Sequence, residues 1–120
     1  MKVLLVDDAM FVRMSLKKIL DDAGFHFEYL EAGDGMEAIS MYKTYSPDLV
    51  IMDITMPKMD GIKAVSEIVA IDHEAKIIMC SSVGYQEKVV AAITAGAQDF
   101  IVKPYEPKKV VAAIKAVLKI

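Results

Sequence analysis

Four apolar runs punctuate the chain, Leu4 to Val6, Leu49 to Met52, Ile77 to Cys80 and Phe100 to Val102, and each is closed by a different polar group: Asp7-Asp8, Asp53, Ser81 and Lys103. The first three runs show no alternation of apolar and polar positions, as expected of parallel strands covered by helices on both faces. The pattern predicts strands near 2 to 6, 27 to 32, 48 to 52, 76 to 81 and 99 to 102. Between them the apolar spacing becomes helical. Val12, Leu16, Ile19, Leu20 and Ala23 share one face of a first helix that Gly24 ends, and Ala38, Ile39 and Tyr42 mark a second over 35 to 45. Ile62, Val65, Ile68 and Val69 mark a third helix, Val89, Val90 and Ile93 a fourth, and Val110, Ile114, Val117 and Leu118 a fifth.

Five strand-helix repeats joined by right-handed crossovers predict an α/β doubly wound (βα)5 domain, with a five-stranded parallel sheet in the order 2-1-3-4-5. Strands 1 and 3 then lie side by side at the switch point, where Asp7, Asp8 and Asp53 meet. Three carboxylates packed together repel one another, so such a site holds a cation or shifts a proton. Magnesium suits it, because that ion takes oxygen ligands and is held by one or two carboxylates together with phosphate oxygens. One carboxylate is then free to attack phosphorus, Lys103 supplies a point charge to the phosphoryl oxygens, and Ser81 offers a hydrogen bond. Each residue also has a plainer explanation: Asp8 caps the first helix, Ser81 ends a strand, and Lys103 is a loop lysine before Pro104. Four independent strand ends that all carry suitable groups favour the joint reading.

Composition narrows the field. The 120 residues suit one domain, and 55% hydrophobic with 26% charged residues is an ordered globular composition. A net charge of -3 is too acidic for a protein that grips a phosphate backbone, so nucleic acid is not an expected partner. The N-terminal apolar stretch is too short for a signal peptide or a membrane span, so the chain is expected in the cytoplasm with no membrane association. Cys80, the one cysteine, reads as a small buried core residue, and His26 and His73 show no metal spacing and read as solvent-facing.

The segments LLVDDA, MDITMPKMDG, the Ser81-Ser82 pair and FIVKP together resemble the receiver domain of bacterial response regulators, over essentially the whole chain. With no output domain expected, the layout is most similar to stand-alone chemotaxis receivers, and a monomer is implied. The resemblance implies that Asp53 accepts a phosphoryl group from the phosphohistidine of a histidine kinase or its phosphotransfer domain. It places Asp8, Asp53 and the backbone carbonyl of Thr55 on Mg2+, with Mn2+ as a substitute and Asp7 acting largely through a water. Lys103 pairs with the phosphoryl group or with Asp53, and its bond to Pro104 is expected to be cis. Ser81 and Phe100 become the switch, coupling the site to a surface of helix 4, strand 5 and helix 5 that includes Lys88, Ala92, Phe100 and Tyr105. A flagellar motor switch protein is the implied target, and a phosphatase a further partner. Such a protein catalyses only its own phosphorylation and dephosphorylation. Two departures stand out: Ser81 replaces a frequent Thr, and Phe100 replaces the Tyr common in chemotaxis members, so ring burial can operate but no phenolic hydrogen bond can form.

Some readings are particular to this chain. Thr55 and Val83 flank the path of a hydrolytic water and offer neither carboxylate nor amide, which predicts a longer-lived phosphorylated form than in relatives with such groups. Met10 and Met14, with Phe11 at the flank, point away from the buried stripe of the first helix and suit docking of a helix that carries the donor histidine. Pro57 stiffens the loop after Asp53 while Met56 and Met59 pack locally, and Tyr85 borders the partner surface. Four other functions compete with a motility receiver. A haloacid-dehalogenase-like phosphatase using Asp53 lacks an acid two residues on and a substrate cap. A flavodoxin-like carrier shares the strand order but lacks a phosphate-cradling loop. A phosphorylation-independent adaptor has no need of these chemical residues, and a phosphorelay intermediate not linked to motility carries the same pocket.

Overall fold

The three central strands form on the chain's uninterrupted apolar runs, while the two edge strands carry charged residues. A computed structural model describes residues 1–120 apart from Pro57, Val83, Tyr85 and the side chain of Gln86, so the readings placed on Pro57, Val83 and Tyr85 lie outside the described residues. The elements are β1 (Lys2–Val6), α1 (Met10–Asp22), β2 (Glu28–Ala32), α2 (Gly35–Tyr45), β3 (Leu49–Asp53), α3 (Gly61–Ile71), β4 (Ile77–Ser82), α4 (Gln86–Ala95), β5 (Asp99–Lys103) and α5 (Pro107–Leu118). Every strand lies within one residue of its expected bounds. All pairings are parallel and the order is β2-β1-β3-β4-β5, the flavodoxin-like arrangement.

Two apolar layers cover the sheet because successive side chains on a strand point to opposite faces. Val3, Leu5, Leu49, Ile51, Ile78, Cys80 and Ile101 pack against Leu16 and Leu20 of α1 and Val110, Ile114 and Val117 of α5. Leu4, Val6, Val50, Met52, Ile77 and Met79 face the other way, onto α2, α3 and α4. Asp34 caps α2 by accepting from the Glu37 N–H at 2.8 Å, and Asp60 caps α3 by accepting from Lys63 at 2.9 Å. The first turn of α3 is pressed against the end of β3: the Gly61 N–H donates to the Ile54 carbonyl at 2.7 Å, and a Cβ at Gly61 would collide with the Asp53 carbonyl.

The buried faces of α5 and α3 follow the expected stripes; those of α1 and α4 depart from them. Ala23 is exposed, because α1 ends at Asp22 and Ala23 serves as its C-cap. In α4, Val89 and Ala92 turn inward while Val90 and Ile93 are exposed. Close packing explains the small side chain at Ala92: Gly96, one residue past α4 at φ +126°, lies hard against Val69 of α3, so the end of α4 approaches α3 closely. Ala92 is therefore core, which corrects its placement on the partner surface. His26 and His73 are exposed and Cys80 is buried, as expected.

Candidate functional site

Side-chain parity along the strands decides which groups meet. Asp7 follows Leu5 by two residues, Asp53 follows Ile51 and Lys103 follows Ile101, so all three emerge on the α1–α5 side of the sheet at its C-terminal edge. The Lys103 Nζ lies 3.0 Å from Asp7 Oδ2 and 3.2 Å from Asp53 Oδ2, bridging the two buried carboxylates. One oxygen each from Asp7, Asp8 and Asp53 fall within 4.8 Å of one another. Asp8 is exposed and makes no ion pair or hydrogen bond among the described residues.

Burial raises the Asp53 carboxyl above the ordinary aspartate range; Lys103 pulls it down, Asp7 pushes it up, and the balance stays raised. Burial also works against the Lys103 ammonium, yet its bonds to Asp7 and Asp53 outweigh that and hold its pKa above the usual lysine value. The site thus contains one cation for three acids, and the donor set of those acids is entirely oxygen, the chemistry of a small hard divalent ion.

Ser81 lies two residues after Met79, so parity turns it to the opposite face of the sheet. It is 4% exposed, closes the buried part of β4, and makes no hydrogen bond to the carboxylates among the described residues. Thr55 is exposed in the loop after β3, Met56 packs into the core and Met59 against it. Phe100 is 42% exposed on the edge strand, not buried in the sheet. Tyr105 turns inward instead of lining a surface: its buried hydroxyl sits beside the Cys80 thiol without meeting hydrogen-bond geometry, and burial pushes the thiol up to about 12. That cysteine is therefore a protonated core group and not a nucleophile. The Lys103–Pro104 bond is cis.

The first helix corrects one expectation and adds two residues. Ala9, not Asp8, is the N-cap of α1, and its N–H donates to Asp7 Oδ1 at 2.9 Å. Arg13 and Glu31 also belong to the site's surroundings. The Arg13 Nε lies 2.9 Å from Glu31 Oε1, its Nη1 donates to the Asp7 main-chain carbonyl, and Lys17 holds the other Glu31 oxygen at 2.8 Å. Nothing in sequence spacing joins positions 13 and 31; only the pairing of β1 with β2 brings them together.

The fold and its acidic switch point define a signalling receiver rather than a flavin or dinucleotide carrier, whose switch point would offer glycine-rich backbone to an anion. The chain belongs to the response regulator receiver family, whose profile, the response regulator receiver domain, matches residues 3–115. It is similar to chemotaxis protein CheY of Thermotoga maritima, 54% identical over 118 residues that span 98% of each chain. It is also 54% identical to chemotaxis protein CheY of Bacillus subtilis over 117 residues, 98% of this chain and 97% of that one. Among solved structures, a CheX-CheY-BeF3-Mg complex from Borrelia burgdorferi matches with a TM-score of 0.89 and 41% identity, over 97% of this chain and 87% of its own. Chains of this family are signalling proteins of two-component systems, and receiver domains interact with histidine kinases.

Proposed function

We propose that the chain is a single-domain receiver that takes a phosphoryl group from a kinase phosphohistidine onto Asp53 and passes the change to a partner, the flagellar motor switch. The observation that carries this reading is the Lys103 bridge: an ammonium 3.2 Å from an otherwise nucleophilic carboxylate, at the strand order's switch point. An Asp53 oxygen attacks phosphorus, the P–O bond forms as the P–N bond to the donor imidazole breaks, and the imidazole leaves with that bond's electron pair. Lys103 moves from Asp7 toward the phosphoryl oxygens and offsets their charge. Asp7, Asp8, Asp53 and the Thr55 carbonyl would hold Mg2+, with Mn2+ as a substitute. When bound, the ion supplies positive charge that neutralises the phosphoryl oxygens.

Exposed Val90, Ile93, Phe100 and Val102 support an output surface across α4 and β5. An open groove of about 700 Å³ continues it between β5 and α5, lined by Phe100, Val102, Lys103 and Lys109 among others. Ser81, one position beyond the Cys80 that pairs with Asp53, is the hydroxyl that turns from its own face over the strand end toward the phosphoryl group, and Phe100 the ring whose burial reports it; a shift of a few kcal/mol between two states suffices. No described helix is long and apolar enough to cross a membrane, and the site of action proposed is the cytoplasm.

The deciding experiment treats the chain with a small-molecule phosphodonor and Mg2+. One acyl phosphate per chain is expected, with capture of a motor switch protein by the modified form only. Repeated turnover of phosphate esters would favour a phosphatase instead, and capture of a phosphotransfer domain alone would make the chain a relay intermediate.

The donor's docking face is Met10, Phe11 and Met14, which are 63%, 77% and 59% exposed on the first turns of α1, the helix that follows Asp7-Asp8. Replacing Met10 and Met14 by Ser should slow transfer from the kinase by about tenfold, on the scale of 1.4 kcal/mol of lost binding, and leave the small donor unaffected. Equal loss with both donors would assign the effect to the pocket and not to docking.

A further inference from the structure

Every polar group of Asp7 is committed. Its N–H donates to the Ala32 carbonyl at 3.1 Å, its carbonyl accepts from Arg13, one carboxylate oxygen accepts from Ala9 and the other from Lys103. Asp8 is the opposite case: exposed, and with no hydrogen bond or ion pair among the described residues to orient its side chain. What aims Asp8 is therefore its backbone, and the peptide plane between Asp7 and Asp8 carries the very carbonyl that Arg13 holds.

Arg13 is well placed to hold it. Helical side chains lean toward the N-terminus, so a residue in the first turns of α1 reaches back over the turn that precedes the helix. The Arg13 side chain is 15% exposed, and its planar guanidinium has donors enough to bind the Glu31 carboxylate and the Asp7 carbonyl together. Glu31 sits near the end of β2, where Leu5 and Val6 of β1 pair with Glu31 and Ala32. The clamp is thus anchored in the sheet, while the helix it starts from has no side-chain cap of its own.

We propose that Arg13, anchored by Glu31, is a positioning residue that fixes the Asp7–Asp8 peptide and so presents the Asp8 carboxylate to a divalent cation. The inference rests on the metal-binding reading above and deepens it. Arg13 touches neither metal nor phosphoryl group; it acts through the backbone of the turn. Lys17 shares Glu31 and keeps that carboxylate in place when Arg13 is shortened.

Mg2+ binding, followed by calorimetric titration of the full chain, tests it. Arg13→Ala should raise the Mg2+ Kd by about tenfold, within the 10- to 100-fold range of residues that orient metal ligands, and Glu31→Gln should raise it less. Arg13→Lys, which cannot make the same planar fork, should fall between. The readout specific to positioning is the pairing with Asp8→Asn: once the peptide is loose, Asp8 should matter less, so the double variant should bind better than additive losses allow. Thermal unfolding in chelator accompanies each variant, and the Mg2+-induced rise in Tm should shrink in Arg13→Ala even if that variant is less stable at the outset. A Kd within twofold of wild type in Arg13→Ala, or strict additivity with Asp8→Asn, overturns the proposal while leaving the metal site intact. Wild type that does not bind Mg2+, or binds it equally after Asp8→Asn and Asp53→Asn, overturns the metal reading and this inference with it.

Discussion

Asp53→Asn should take up no phosphoryl group from a small-molecule donor with Mg2+, where wild type acquires one per chain by intact mass. An amide is a poor nucleophile toward phosphorus, and neither neighbouring acid can substitute: Asp7 has both oxygens engaged by Ala9 and Lys103, and Asp8 points from an exposed turn. The loss should exceed about 10³-fold in rate, the scale on which removal of a reacting group is measured. Modification persisting at another aspartate would sink the assignment.

The same substitution should stabilise the metal-free fold. Asp53 is raised in the folded chain, first by burial, so the folded state holds its proton more tightly than the unfolded state does. The ionised carboxylate therefore costs stability. That cost is absent below the ordinary aspartate pKa, grows as pH rises from there to the raised folded pKa, and is complete above it. In chelator, Asn should raise Tm at pH 7 to 8 and lose its advantage toward pH 4 and below. Lys103 does not forfeit pairing in this variant, because Asp7 Oδ2 remains 3.0 Å away. A lower Tm at neutral pH would show that the Asp53–Lys103 attraction outweighs the desolvation of the carboxylate.

Lys103→Met should separate metal binding from chemistry. The lysine is the cation that balances Asp7 and Asp53 when no metal is present, and it competes for the oxygens a metal would use. Without it the three acids repel one another more strongly, and Mg2+ should bind about tenfold more tightly, roughly 1.4 kcal/mol and modest against a lost charge pair at an effective dielectric near 20. Phosphoryl transfer should nevertheless slow by about 10² to 10³ at saturating Mg2+, because charge on the transferring group then lacks its ammonium. Calorimetry gives the first quantity and single-turnover modification the second. Unchanged Mg2+ affinity would mean that Lys103 and the metal occupy independent places.

The strand ends were legible because each is a local event: an apolar run stops, and a charged or hydroxyl side chain follows. The faces of the amphipathic helices were less secure. Val65 and Ile68 of α3 and Ile114 and Val117 of α5 are buried where spacing puts them, since those helices present large aliphatic side chains to the sheet. For α4 spacing favoured Val89, Val90 and Ile93; Val89 is buried as expected, but the packing buries Ala92 and leaves Val90 and Ile93 exposed, because the close approach of α3 suits a small side chain at Ala92. Asp8 as a helix cap failed for a similar reason. A capping residue must stand at the first non-helical position, and α1 begins one residue later than that role requires.

By itself, the sequence determined the strand order, the convergence of Asp7, Asp8, Asp53 and Lys103, and the family, because apolar periodicity and short motifs are properties of neighbours along the chain. The tertiary structure decided what depends on neighbours in space. It set Lys103 astride two aspartates, turned Ser81 to the other face of the sheet and Tyr105 inward, and joined Arg13 on α1 to Glu31 on β2. Distances of about 3 Å between residues far apart in sequence are set by packing and register, and no local pattern encodes them.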